Sequence, residues 1–297
     1  MKLARYTDSG GEQLGIVHLD RIFPIPSDIF NGSMPELLSQ YSQLKPRLQQ
    51  LTDNNCDSMS LNSVQLLAPI PQPEKFIGVG LNYADHIAET GLETPTFPTL
   101  FNKQSSCVTN PGAPIYRPHI SDKLDYEGEL AFVIGQYCRN VSVEDAPQAI
   151  AGYTIVNDVS VRDWQIKSPT WTLGKSFDSH GPMGPWIVTA DSLDPHNLEL
   201  KTWVNDELRQ HSNTRNLIFN CYQLVETLSS VCTLKPGDVI ATGTCSGVGV
   251  KMKPRGYMKP GDKVTIEIQG IGQLCNPVEQ ESEHNSFISQ HPPVVNP

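Results

Sequence analysis

The sequence predicts a strand-rich α+β protein, with a small α/β unit at the N-terminus and a larger body behind it. Three observations carry that reading. Apolar residues fall mostly in short continuous or alternating runs, 22 glycines and 24 prolines supply turns between them, and few stretches keep helical spacing. A length of 297 residues is ample to bury a core, and 38% apolar with 18% charged residues excludes wholesale disorder.

Residues 2–6 and 14–19 read as strands around the turn Asp8-Ser-Gly-Gly11, and residues 34–51 carry helix-spaced apolar side chains. Ala68-Pro-Ile-Pro-Gln-Pro73 holds three prolines, which impose an extended connector between a domain over residues 1–70 and one over 74–280. In the second, residues 130–134 form a continuous apolar run suited to a buried strand, 152–156 a further apolar strand, and 198–204 an alternating, half-exposed one. Ser142 and Asp145 resemble a capping box ahead of residues 146–150, and Leu217, Cys221, Leu224, Val225 and Leu228 keep helical spacing. Leu234-Lys-Pro-Gly-Asp238 and Met258-Lys-Pro-Gly-Asp262 are matching type II turns that feed strands at 239–242 and 264–268. Residues 281–297 are polar and proline-bearing, which predicts a flexible tail.

A formal charge of −10 argues against nucleic-acid binding by phosphate neutralisation and against an anionic membrane surface. Seven cysteines form an odd set with no C-x-x-C pair, which points to neither a zinc ribbon nor a disulfide framework and fits a reducing compartment. No apolar run approaches the roughly 20 residues of a membrane span, and none near Met1 has signal-peptide length. The expected location is the cytoplasm, with an organelle such as the mitochondrion left open.

Glu127 and Glu129 stand two apart ahead of an apolar strand, so as strand residues they would share a face, about 6.5 Å apart at their roots. Two like charges ~4 Å apart near a protein surface repel by about 4 kcal/mol, so a convergent pair needs a proton or a metal. Asp158 closes the strand at 152–156. Arg162 and Gln165 follow it at i+4 and i+7, which would set an acid, a guanidinium and an amide along one helical face or its entry. An all-oxygen ligand set suits Mg²⁺ or Mn²⁺ rather than zinc, with Arg162 and Gln165 as donors to an anionic substrate. Lys175, in Gly174-Lys-Ser-Phe-Asp178, would stabilise an enolate oxygen beside those acids. His86 and Glu89, at i and i+3 on a helix, would form an acid–base pair. Each has a plainer reading: solvated edge glutamates, a helix-capping aspartate, a surface lysine, an exposed His–Glu contact. Gly78-Val-Gly80 is not a dinucleotide fingerprint, because Tyr83 takes the third glycine's place. Ala241-Thr-Gly-Thr-Cys-Ser-Gly-Val-Gly249 lacks the ending of a phosphate loop, but its hydroxyls and N–H groups suit a carboxylate.

Five segments carry a resemblance in order. They are Gly80-Leu-Asn-Tyr-Ala-Asp-His86 with Glu89, Asp125-Tyr-Glu-Gly-Glu129, Asn157-Asp-Val-Ser-Val-Arg-Asp-Trp-Gln165, Gly174-Lys-Ser-Phe-Asp178 with Gly184-Pro185, and Thr242-Gly-Thr-Cys-Ser-Gly-Val-Gly249. Across residues 74–276 the chain resembles the fumarylacetoacetate hydrolase family. It is most similar to the two-domain fumarylacetoacetate hydrolase domain-containing type 2 proteins, which share the small N-terminal domain and phrases like Asp194-Pro-His-Asn-Leu198 and Ser212-Asn-Thr214. The resemblance implies a mixed β-sandwich roll, commonly a homodimer, with Glu127, Glu129 and Asp158 holding Mg²⁺ or Mn²⁺. It also implies a His86–Glu89 dyad on a lid that orders over substrate, and Arg162, Gln165, Lys175 and Thr244 on the substrate's carboxylate and oxo groups. Cys245 departs from the pattern, standing where the family loop usually has proline. The expected partner is a small 2-oxo or β-diketo acid, with no nucleic acid and no membrane. The expected chemistry passes through a metal-stabilised enolate, with hydrolytic C–C cleavage of an acylpyruvate as the leading outcome. Oxaloacetate tautomerisation or decarboxylation would share that enolate, and a non-catalytic oligomeric scaffold is the reading from another class.

Overall fold

The computed structural model describes residues 1–53, 57–91 and 93–282; of the expected tail at 281–297, residues 283–297 lie outside the described residues. The chain opens as an antiparallel meander of β1 (Lys2–Asp8), β2 (Gly11–His18) and β3 (Arg21–Pro24). Helices α1 (Met34–Ser39) and α2 (Tyr41–Asp53) follow, then β4 (Met59–Ser60) and β5 (Gln65–Leu67). Next come β6 (Phe76–Gly80), α3 (Ala84–Thr90), β7 (Thr99–Lys103), β8 (Val108–Thr109), β9 (Ile115–Arg117) and β10 (Leu124–Asp125). The centre holds β11 (Gly128–Ile134), α4 (Ala146–Ala149), β12 (Ile150–Asn157), β13 (Ser160–Val161), α5 (Arg162–Gln165), α6 (Thr172–Lys175) and β14 (Gly181–Thr189). The last elements are β15 (Glu199–Val204), β16 (Glu207–Asn213), α7 (Cys221–Val231), β17 (Val239–Thr244), β18 (Lys263–Ile268) and β19 (Gly272–Gln280).

This is the strand-rich α+β class that the apolar runs predict, and its sheets are mixed. The main sheet runs β4-β3-β2-β1-β14-β12-β11-β17-β6-β7, antiparallel along that path except where β17 pairs with β6. A five-stranded sheet, β16-β15-β18-β19-β9, packs across β11, β12 and β14. Between the sheets, Leu130, Phe132, Ile134 and Ile155 meet Leu200, Ile266 and Leu274. On the opposite face Ala131, Val133 and Ile187 meet Leu3, Leu37, Leu38 and Leu48 from the N-terminal segment. Burial on both faces explains why 130–134 reads as an unbroken apolar run. β1 pairs with β14, Leu3 opposite Ile187, so the main sheet crosses from the body into the first 70 residues.

Local chemistry sets several boundaries. The apolar span 34–51 is two helices, because Gln40 leaves helical geometry (φ −105°, ψ 4°); the break lets Leu37, Leu38 and Leu48 reach one core. The helix expected from Leu217 starts at Cys221, where Asn220 accepts the N–H groups of Tyr222 and Gln223 and Gln223 returns a bond to Asn220 N–H. Gly237 and Gly261 sit at φ +89° and +95° after Pro236 and Pro260, as type II turns require.

Asn82, fully buried, ties β6 to its neighbours. Its Nδ2 donates to the carbonyls of Phe219 (3.0 Å) and Thr242 (2.7 Å), and its Oδ1 accepts Phe219 N–H (2.8 Å). Removing the amide leaves three backbone groups unpaired at the base of α3. Asn82→Ala should therefore cost about 3 kcal/mol or more in urea unfolding; a loss below about 1 kcal/mol would mean that water replaces the bracket.

Candidate metal and substrate site

The lead-in to β11 presents Glu127 and β11 itself Glu129, while the chain leaving β12 presents Asp158. Backbone pairing fixes their relation: Asp158 N–H donates to Glu127 O (2.9 Å), and Asn157 Oδ1 accepts Glu127 N–H (3.1 Å). One oxygen from each of the three buried carboxylates lies within 4.8 Å of the others. Asp158 does not share a helical face with Arg162 and Gln165. The intervening Ser160 and Val161 are held extended as β13 against β10, and only then does α5 begin.

Positive groups surround the acids. Lys175 Nζ donates to Glu127 Oε2 and Asp158 Oδ2, both at 2.6 Å. Arg162 reaches Glu127 Oε1 through Nη1 (2.7 Å) and Asp125 Oδ2 through Nε (2.7 Å), and Nη1 also donates to Gln165 Oε1 (3.0 Å). Its buried Nη2 has no hydrogen-bond partner among the described residues. Lys103 Nζ, fully buried, lies 2.8 Å from Asp158 Oδ1 and donates to the carbonyls of Lys175 and His180. The Lys103–Asp158 contact falls outside hydrogen-bond angles, so Asp158 Oδ1 is paired by charge alone.

These fields act unequally. Burial would push the Glu127 carboxyl up, but Lys175 and Arg162 outweigh it and hold it at about 2. Glu129 is driven the other way, well above the usual carboxylate range, by burial and by the charges of Asp158 and Glu127. Burial works against the charge of Lys175, yet Asp158 and Glu127 raise it. Of the three acids, Glu129 is thus the one whose ionisation the surroundings oppose while no cation is bound.

The glycine-rich segment that ends β17 and runs into the following loop binds carboxylates, and they are the protein's own. Gly243 N–H donates to Glu129 (2.7 Å), Ser246 N–H to Asp85 (3.3 Å), Gly247 N–H to Glu89 (2.9 Å), and Gly249 and Val250 N–H to Asp125 (2.8 and 2.9 Å). Gly243 sits at φ +102°, where a Cβ would also lie 2.8 Å from Val79 O, so the bend that aims its N–H at Glu129 needs glycine. The same loop thus docks α3, which carries His86 and Glu89 at i and i+3, with His86 Nδ1 2.9 Å from Glu89 Oε2. Burial would raise Glu89, but bonds from His86 and Gly247 bring it below the usual range. An ionised Glu89 selects the Nδ1–H tautomer and leaves Nε2 as the basic nitrogen.

A cavity of about 70 Å³ has His86, Glu127, Glu129, Arg162, Gln165, Lys175 and Thr244 in its walls. Asp158 stands behind it, bonded to Lys175. Thr244 Oγ1 donates to Gly128 O (3.1 Å) and accepts from Gln210 Nε2 (2.8 Å), so its hydroxyl is already committed. Cys245 is buried, and its carbonyl is held by Gln210 (3.0 Å). Larger clefts, about 700 and 750 Å³, lie beside the N-terminal strands and helices, and none of the three acids lines them.

Sequence reasoning missed Lys103 and Asp125 as parts of this site. Lys103 ends an unremarkable strand, and Asp125 lies within a quoted motif. A buried acid two residues ahead of a glutamate pair was the available signal for Asp125.

Residues 75–279 match the family model described as fumarylacetoacetate (FAA) hydrolase C-terminal. The chain belongs to the fumarylacetoacetate hydrolase family. This family of enzymes includes a mitochondrial oxaloacetate tautomerase of Xenopus laevis, 40% identical over 287 residues that span 94% of this chain and 90% of that one. Among solved structures, a fumarylacetoacetate hydrolase from psychrophilic Exiguobacterium antarcticum is 36% identical with a TM-score of 0.86, covering 95% of this chain and all of that one. A maleylpyruvate hydrolase from Sphingobium sp. SYK-6, in complex with manganese(II) and pyruvate, is 33% identical with a TM-score of 0.80 and the same coverage.

The acids of this family member fit a hard divalent cation. All donors are oxygens, Asp158 Oδ1 lacks a hydrogen bond among the described residues, and the repulsion that pushes the Glu129 carboxyl up is the repulsion a cation relieves. Because a cation competes with a proton for Glu129, Mg²⁺ or Mn²⁺ binding should release protons, and affinity should fall as pH falls. Calorimetry in buffers of different ionisation enthalpy measures this; zero proton release would contradict it. Glu127→Gln should weaken binding at least about a hundredfold.

Proposed function

We propose that the protein is a Mg²⁺- or Mn²⁺-dependent enzyme that enolises small 2-oxo acids, with keto–enol tautomerisation of oxaloacetate as its reaction. The observation that carries the reading is that one small cavity is walled by the dyad histidine, two acids of the triad, Arg162 and Lys175 together. The whole-length likeness to an oxaloacetate tautomerase supports the choice of substrate.

Glu127, Glu129 and Asp158 would hold the cation, which when bound supplies Lewis-acid polarisation of the 2-oxo group. The unpartnered Nη2 of Arg162, with Gln165, receives a substrate carboxylate. His86 Nε2 takes the proton from the carbon next to the oxo group, and Glu89 stabilises the imidazolium through Nδ1. As that C–H bond breaks, its electron pair moves toward the oxo oxygen, where Lys175 Nζ faces the developing charge. Return to that oxygen of the proton held on the His86 imidazolium gives the enol and restores neutral His86, and the reverse sequence regenerates the ketone.

A second reading is hydrolytic C–C cleavage, favoured by the likeness to the manganese- and pyruvate-bound maleylpyruvate hydrolase. It uses the same enolate, with the His86–Glu89 dyad acting on water. Enol absorbance and pyruvate release, followed in parallel with added metal and with chelator, separate the outcomes. Metal-dependent loss of the enol signal without pyruvate is expected. Pyruvate release from oxaloacetate would indicate decarboxylation, and cleavage of acylpyruvates alone would favour hydrolysis. His86→Gln should slow turnover by about 10²–10⁴-fold while metal affinity is retained; unchanged turnover would remove His86 from the chemistry.

A further inference from the structure

The paired glycines of β6 form no nucleotide fingerprint, yet they have a use at this cavity. Gly78 and Gly80 lie two apart on one strand and so share a face. A Cβ on Gly78 would lie 2.3 Å from the Phe101 ring, and one on Gly80 would lie 2.3 Å from the Trp171 ring. Both rings therefore rest on bare backbone that any side chain would fill.

Their positions are fixed from outside as well. Phe101 is the cross-strand partner of Gly78 on β7, and its ring centroid lies 5.7 Å from that of Trp171 at an interplanar angle of 59°. Trp171 sits at φ +61°, a conformation that bulky side chains seldom adopt, and it leads directly into α6. Phe101 also lies 5.0 Å beneath Lys175 Nζ, so the aromatic pair borders the group assigned to the enolate oxygen. Both rings line the cavity. Its volume of about 70 Å³ is well below the ~300–1,000 Å³ of sites that enclose drug-sized ligands.

We propose that Trp171, seated on Gly80 and braced by Phe101, is the end wall that sets substrate length, admitting four-carbon 2-oxo acids and refusing acylpyruvates with longer acyl chains. The inference rests on the enolising function above and specifies its substrate class. A longer chain must push the indole off the glycine and break its contact with Phe101, while a short acid leaves both in place. The G-x-G pattern is then a ring seat: each glycine is required by the aromatic side chain lying over it.

The test compares kcat/KM for oxaloacetate and for acylpyruvates of increasing acyl length, in metal-loaded wild type, Trp171→Leu and Trp171→Phe. Wild type should lose efficiency with each added methylene. Trp171→Leu should raise the long-to-short ratio by about tenfold or more, and Trp171→Phe by less. A purely structural role would lower every substrate together and leave the ratio unchanged, which would overturn the proposal. Should Trp171→Leu fail to fold, the ratio for Trp171→Phe decides. Calorimetric affinities for straight-chain 2-oxo acids of increasing length provide a reading independent of turnover. If the wild type turns over none of the acids, the assigned activity fails, but those affinities still judge the wall. A length penalty relieved by Trp171→Phe supports it, and equal affinity at all lengths overturns it.

Discussion

Three buried carboxylates brought together beside one small cavity govern the rest of this site. Two unit charges ~4 Å apart cost about 4 kcal/mol even at an effective dielectric of 20, so Glu127, Glu129 and Asp158 cannot all stay ionised without compensation. The protein compensates with Lys175, Lys103 and Arg162, while burial and the neighbouring acids push the Glu129 carboxyl well above the usual carboxylate range. Two buried lysines on one aspartate would be unfavourable anywhere else in the fold. Here they offset the charge of the clustered acids.

The loop after β17 extends the same logic through backbone dipoles. Five N–H groups between Gly243 and Val250 are spent on Glu129, Asp85, Glu89 and Asp125. One segment thereby holds a triad member, both carboxylates of the α3 dock and the acid that steers Arg162. The proposed metal ligand, acid–base dyad and substrate-binding guanidinium share a single anchor, so a shift in this segment would move all three.

The parts of the site that were legible in the sequence are those set by local geometry. His86 and Glu89 form their pair because i and i+3 are neighbours on a helix, and Glu127 and Glu129 converge across two positions of near-extended chain leading into β11. The strand runs, the Pro-Gly turns and the strand-rich class were legible for the same reason. What was hidden depends on tertiary register. Asp158 meets the glutamates because β11 and β12 pair with Gly128 opposite Asn157, which no spacing encodes. Lys103 reaches Asp158 from β7, 55 positions away in the chain and several strands across the sheet. The first 70 residues share a sheet with the body through the pairing of β1 with β14, a contact that the proline-rich connector gave no reason to expect.

Anomalous diffraction from crystals equilibrated with Mn²⁺ asks most directly whether the three acids act as one centre. The account predicts a single strong peak ligated by Glu127, Glu129 and Asp158 together, with Lys175 adjacent. A peak at another group of residues, or none among these acids at saturating Mn²⁺, would contradict it.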